Sequence, residues 1–278
     1  MSAPLLSLAS GVIPEASPLE LIDAAAAAGY AAVGLWVEPE RFSPDYLRQV
    51  KSALREHDLQ LLDAEVVWIK PGALNPAHLH ILDIAAELSA DHVLVVSSDP
   101  DQQATIHKLT QLCDHNRDLR IVLEFGAFTE VRSLEQAREV IGAVNRPNLG
   151  MLIDALHWAR SGGTLQQIES LPAQWLTYAQ LCDASGPGPD MANRADVRLE
   201  AVDYRLLPGD GDLPLGDWLG ALPDGLPLSL EIRSLSLRSA YPDFALRAQE
   251  VHQRTQAWLD NTKQSGLHVF VDRCRGSL

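Results

Sequence analysis

Cysteine is scarce in this sequence, and the three that occur, Cys113, Cys182 and Cys274, are odd in number and far apart. None forms a CxxC pair, so neither a disulfide framework nor a thiolate metal site is indicated, and a reduced cytoplasmic compartment is expected. Long apolar runs are missing too: no stretch approaches the ~18 uninterrupted apolar residues of a membrane span. The opening residues, "MSAPLLSLASGVIPEAS", carry no basic region ahead of their short apolar run, so no secretion signal is expected. Basic residues are in deficit. There are 22 Lys and Arg against 37 Asp and Glu, a formal net charge of −15. Such a surface repels phosphate backbones, which speaks against nucleic-acid or anionic-membrane partners. A GxGxxG phosphate fingerprint after the first apolar run is also absent, which argues against a dinucleotide-binding sheet.

What is present is a regular alternation. Short runs of Val, Ile and Leu at 5–10, 31–38, 59–68, 91–98, 120–126, 149–154, 175–184 and 226–234 read as eight strands. Helical patterns separate them. In the first, Ser17 can cap, Pro18 suits the first turn, Glu20 completes a capping box and Gly29 ends the helix. The last spans 242–263. The strands are continuous apolar runs, as expected of a parallel sheet covered on both faces. Eight β-then-α units in 278 residues match an α/β fold of the (β/α)8 TIM barrel type. With no interdomain linker visible, one domain over 1–278 is expected, and the Pro/Gly-rich stretch 185–216 reads as a long loop after strand seven.

In such a barrel the active site lies at the C-terminal ends of the strands. Four successive strands carry an oxygen-bearing side chain there: Glu124 in "VLEFG", Asp154 in "LGMLIDALHW", Gln180 in "YAQLCD" and Glu231 in "LSLEIRS". Three carboxylates converging in an apolar mouth would repel, and burying each unpaired costs several kcal/mol. One divalent cation removes the difficulty, and an all-oxygen set favours Mn²⁺ or Mg²⁺, with Zn²⁺ allowed. The competing reading pairs each carboxylate with Lys or Arg as a structural ion pair.

This ordered set resembles the sugar isomerase/epimerase group with a xylose isomerase-like TIM barrel, which places Glu on strand five, Asp-x-x-His on strand six, His or Gln on strand seven and Glu on strand eight. The sequence offers Glu124 in "LEFG", Asp154 and His157 in "DALH", Gln180 in "QLCD" and Glu231 in "LEIRS", and "RLLPGDGDLPL" (205–215) is a loop typical of the group. Gln180 is the variant form, similar to that of hydroxypyruvate isomerase-like members. The resemblance implies that Glu124 and Glu231 are the acid/base pair as well as metal ligands, and that Asp154 and Gln180 are ligands only. It also implies a small carbohydrate-like substrate, and it allows a homo-oligomer.

Around these lie candidate contacts. His157 can reach a substrate hydroxyl, or it caps a helix. Arg233 shares a strand face with Glu231 and either neutralises it or holds a substrate carboxylate or phosphate. Glu65 and Trp68, at the end of strand three, can line the mouth, as can Trp36 and Glu38 from strand two. Arg205 either reaches substrate or is solvated, Asp183 is expected to orient the strand-seven ligand, and Cys182 reads as a barrel residue. The remaining histidines (57, 78, 80, 92, 107, 115, 252 and 268) fall mainly in helix or surface patterns.

The leading expectation is a metal-dependent isomerase or epimerase of a small keto-sugar or related carbonyl compound, working by proton transfer through an enediolate. The alternative is a dehydratase or lyase of the inosose or 3-keto-sugar type on the same site. An abasic-site endonuclease would need a richer histidine site and a basic surface. A barrel that binds a ligand without turnover would show Glu124 and Glu231 fully ion-paired.

Overall fold

The computed structural model describes residues 4–275, and side chains as far as residue 262; His268 and Cys274 lie outside the described side chains. Eight parallel strands close into a barrel in the order β1 to β8. They are β1 (Leu6–Leu8), β2 (Ala32–Trp36), β3 (Gln60–Ile69), β4 (His92–Ser97), β5 (Arg120–Glu124), β6 (Leu149–Asp154), β7 (Leu176–Leu181) and β8 (Leu228–Leu230). β1 meets β8 through Leu6↔Leu228 and Leu8↔Leu230, which seals the sheet. The fold expected from the sequence is therefore the one observed.

The helices α1 (Pro18–Ala28), α2 (Pro44–Glu56), α3 (Pro76–Glu87), α4 (Gln102–His115) and α5 (Leu134–Val144) follow the first five strands. α1 starts as its sequence dictates: Ser17 and Glu20 form the capping box, and Gly29 ends the helix at φ +82°. The second half is less regular, with α6 (Ala155–Arg160), α7 (Leu165–Glu169), α8 (Arg194–Asp203), α9 (Leu215–Ala221), α10 (Leu235–Ala240) and α11 (Phe244–Arg275). The stretch expected to be one long loop after β7 holds all of α8 and the start of α9. Asn193 caps α8 by accepting from Ala195 N–H, so a polar residue starts a helix where composition suggested only loop. The first and last strands, β1 and β8, are also shorter than their apolar runs, because the chain turns into a 3₁₀ segment at Ser10 after β1 and β8 ends at Leu230.

Strand period two sets what faces the barrel axis. A packed inner layer contains Val122, Leu152 and Tyr178, and each lies two residues before Glu124, Asp154 and Gln180. The polar side chains thus stand on an apolar floor at the C-terminal end. A larger apolar layer fills the space between strands and helices. His92, expected on a surface, is instead buried at the start of β4, where Nδ1 lies 2.8 Å from Leu62 O.

Candidate metal and substrate site

Register brings the predicted ligands together. Asp154 pairs with Gln180 across β6 and β7, and Glu231 follows β8 directly, its N–H donating to Leu181 O. Ligand atoms of Glu124, Asp154 and Glu231 all lie within 4.8 Å of one another, and all three residues are buried. Gln180 is fully buried, and neither its Oε1 nor its Nε2 has a hydrogen-bond partner. An unpaired amide beside three carboxylates is costly unless something else is bound there. The donor set is all oxygen and suits a hard divalent cation, so these residues fit the expected metal.

The electrostatics agree. Burial pushes the Glu124 carboxyl well above its usual value, and the neighbouring Glu231 and Asp154 push it further. Glu231 is also raised by burial, against the pull of Arg205 and Arg233. Asp154 behaves differently. Burial opposes its ionisation, yet Arg205 and His157 outweigh that and hold it below the usual carboxylate value.

The Asp-x-x-His spacing has a local cause. Asp154 is the N-cap of α6, and its Oδ1 accepts from the backbone N–H of His157 at 2.9 Å. A capping side chain reaches the third helical residue, so the same spacing that caps α6 places His157 at the mouth. Its ring is buried and its Nε2 is 4.0 Å from Glu124 Oε1. Burial pulls the imidazole down to about 4, so it is neutral at pH 7. The ring stands edge-on to Phe128, with centroids 5.4 Å apart.

Arg205 is not solvated: it is 2 % exposed and points into the site. Its Nη1 donates to Asp154 Oδ2 at 2.5 Å, while Nη2 is 3.6 Å from Glu231 Oε2. Its Nη1 also lies 3.2 Å from Cys182 Sγ, a buried residue of the barrel wall. One guanidinium against three carboxylates leaves an excess of negative charge, so the ion-pair reading accounts for only part of the cluster.

Asp183 does not orient Gln180. Its carboxylate accepts from the backbone N–H groups of Ala184, Gly209, Gly211 and Leu213 at 2.8–3.1 Å. It therefore anchors the 205–215 loop, which turns at Gly209 with φ +89°. Those N–H groups would otherwise go unpaired, and that explains the direction of the side chain. Glu38 also lies away from the site, exposed and paired with Arg41.

The cavity above the carboxylates is lined by Trp36, Glu65, Trp68, His157, Arg205 and Arg233, among others. Arg233 lies over the Trp36 ring, its guanidinium carbon 5.4 Å from the centroid, and its Nε has no hydrogen-bond partner. Gly11 makes this possible, since a Cβ there would lie 2.8 Å from Arg233 Cγ. Two groups escaped the sequence reading. Phe128 and Thr129 line the cavity from the segment after β5, and Asp63 lies buried next to Glu65. Only the strand alternation around Asp63 could have signalled it.

Known proteins resemble the chain in sequence and in fold. A 3-dehydroshikimate dehydratase of Pseudomonas putida is 30% identical over 169 residues, 57% of this chain and 26% of that protein. An inosose isomerase of Bacillus subtilis is 24% identical over 127 residues, 44% of this chain and 43% of that protein. The chain spans only about a quarter of the dehydratase's length and under half of the isomerase's. Among solved structures, the IOLI protein with a binding zinc atom superposes with a TM-score of 0.73 at 18% identity, covering 92% of this chain and 97% of that one. The family model described as xylose isomerase-like TIM barrel matches residues 22–262, and the chain belongs to that family.

Proposed function

We propose that the chain is a divalent-metal-dependent enzyme that removes a proton from the carbon of a small, hydroxylated carbonyl compound and then expels a hydroxyl as water. The observation that carries the proton-removal step is the convergence of Glu124, Asp154 and Glu231 within 4.8 Å beside an unpartnered Gln180. A cation held by these four residues would supply Lewis-acid stabilisation of the oxygen that takes up charge as the proton leaves. The chain's own residues do the rest. His157 is neutral and faces the cavity, so a ring nitrogen is free to accept a proton, although burial makes it a weaker base than an exposed imidazole. Glu124, beside it, is the second candidate base. Arg205 holds Asp154 and Glu231 in place and offsets part of their charge.

Water loss is placed ahead of isomerisation for two reasons. Arg233 stands in the cavity wall with no carboxylate within ion-pair distance among the described residues, a fit for a substrate that itself carries a carboxylate. A curated protein similar over 169 residues is also a dehydratase, of 3-dehydroshikimate. Isomerisation or epimerisation is the second reading. It is favoured by the presence of two glutamates, Glu124 and Glu231, that could take and return one proton, and by the similarity to an inosose isomerase.

The test has two parts. Elemental analysis of the purified protein and of Glu231→Gln reads metal content, and about one divalent cation per chain, reduced in the variant, is expected. Mass spectrometry then follows 3-dehydroshikimate and inosose incubated with the Mn²⁺-loaded protein. Loss of one water from the keto acid supports the first reading, whereas an isomer of unchanged mass would move the assignment to the second. A protein that binds no Mn²⁺, Mg²⁺ or Zn²⁺ overturns both.

A further inference from the structure

Beneath the cavity lies a second pair of buried acids that the proposed metal does not account for. Asp63 is 0 % exposed and Glu65 4 % exposed, and both sit on the inner face of β3, two residues apart. Each has one oxygen already satisfied. Tyr178 O–H donates to Asp63 Oδ2 at 3.2 Å, and the Trp36 indole N–H donates to Glu65 Oε2 at 3.1 Å. The other two oxygens, Asp63 Oδ1 and Glu65 Oε1, have no donor.

Those two free oxygens meet over one residue. A Cβ at Gly34 would lie 2.5 Å from Asp63 Oδ1 and 3.0 Å from Glu65 Oε1, so β2 has a glycine where any side chain would fill the space between the carboxyls. The two side chains are within hydrogen-bonding reach of each other. No Lys, Arg or His forms an ion pair with either among the described residues. The charged groups that face them are Glu231 beyond β8 and Glu124 on β5, both negative, and Arg233, which lies over the Trp36 ring. Two carboxylates in contact without a cation cannot both be ionised, and a single proton between them satisfies both free oxygens.

We propose that Asp63 and Glu65 hold one proton between them and present it to the substrate cavity through Glu65, which makes Glu65 a catalytic acid. Glu65 lines the same cavity as Glu124, His157 and Glu231, whereas Asp63 lies deeper, against Tyr178. Asp63 is then a positioning residue that keeps its neighbour protonated. In the dehydration proposed above, on which this step rests, the C–O bond of the departing hydroxyl breaks and its electron pair stays on the oxygen. The Glu65 proton joins that oxygen and water leaves. The base that took the carbon-bound proton and the Asp63–Glu65 pair are reset by exchange with solvent.

Infrared difference spectroscopy of the Mn²⁺-loaded protein in H₂O and D₂O tests the pair without any substrate. A carbonyl stretch of a protonated carboxyl group, shifted by deuterium, is expected at neutral pH in the wild type. It should vanish in one step as pH rises, and it should be missing from both Asp63→Asn and Glu65→Gln. Absence of the band in the wild type, or its persistence in both variants, overturns the pair. The wild-type pH titration keeps the test decisive even where a variant fails to fold.

Turnover then separates the two roles. Glu65→Gln should lower kcat by about 10²–10⁴-fold, the usual contribution of a general acid, with metal content unchanged. Asp63→Asn should move the alkaline limb of the activity to lower pH, so that turnover falls at neutral pH and recovers at acidic pH, because Glu65 then loses its proton more easily. An unmoved limb, or a fully active Glu65→Gln, overturns the acid role. Failure of the dehydratase reading would look different: no bound metal and no water loss in the wild type, with the infrared band intact.

Discussion

Two groups of buried charge stand at the same end of this barrel, and they are built differently. After β4, Asp99 and Lys108 form a closed pair, 5 % and 4 % exposed, with Nζ 2.6 Å from the carboxylate. Asp99 also accepts from Asp101 N–H, and Lys108 donates to Lys70 O. One anion meets one cation, and the remaining valences are used. After β5 to β8, by contrast, Asp154 and Glu231 share Arg205, Glu124 has only the neutral His157 within ion-pair distance among the described residues, and the amide of Gln180 has nothing to bond. The first group is complete as it stands, whereas the second is complete only with a further cation. Burial by itself therefore does not mark a functional site; an imbalance of charge and unfilled hydrogen-bonding capacity does.

The contrast can be broken from either side. The largest effect is expected at Glu231→Gln, which removes a ligand and a charge from the open group. Bound metal measured by elemental analysis should fall to background, and activity should drop by roughly 10⁴-fold, while the fold seen by circular dichroism is kept. Lys108→Met does the reverse. It leaves Asp99 buried without its cation and should cost about 3–5 kcal/mol in denaturant unfolding, with metal content per folded chain unchanged. Loss of metal in that variant would mean the two groups are coupled after all.

A smaller effect is expected at His157→Asn. The cap of α6 uses only the backbone N–H of residue 157, so stability and metal content should hold while turnover falls by roughly 10²-fold. A variant that loses metal instead would make His157 a ligand.

The smallest expected effect is a pH dependence of stability in the metal-free protein. Burial pushes Asp63 up to about 7, above the ordinary carboxylate range. Its contribution to folding is then fully present below about pH 4, the unfolded value, and is lost as pH rises from there through about 7. The melting temperature of metal-free protein should fall between about pH 4 and 7, and Asp63→Asn should flatten that fall. A melting temperature that rises over this range would contradict it.

How much of this was legible in the sequence follows from what each signal depends on. β6 could be read at 149–154 and matches Leu149–Asp154, because an unbroken apolar run bounded by polar residues depends on local burial alone. The four strand-end residues were legible for the same reason, since chain order and strand ends fix where they meet. Arg205 was legible only as one of two alternatives, because its loop looks polar and solvated. Only the fold carries it back over Asp154. Asp183 was misread in partner, as its carboxylate serves backbone N–H groups of Gly209, Gly211 and Leu213, 26 to 30 residues onward, that no side-chain pattern reveals. Asp63 stayed hidden inside "LQLLDAEVVW", where one acid among apolar residues gives no sign of what lies across the barrel. α8 was missed because Pro and Gly before it set the tone of the whole stretch.

The seam where Leu6 pairs with Leu228 has a consequence for how the chain acquires its site. The first strand waits for its last neighbour until nearly the whole polypeptide is available, and contacts so distant along the chain form slowly. Until then, β1 and α1 lack the cover of β8 and of α11, whose Arg247 reaches back to Val12 O and Glu15. Glu231 and Arg233 arrive with that same final closure. Closing the barrel and completing the carboxylate cluster thus depend on the same contacts, and a chain lacking β8 would have exposed apolar strand edges and no Glu231 beside Glu124 and Asp154.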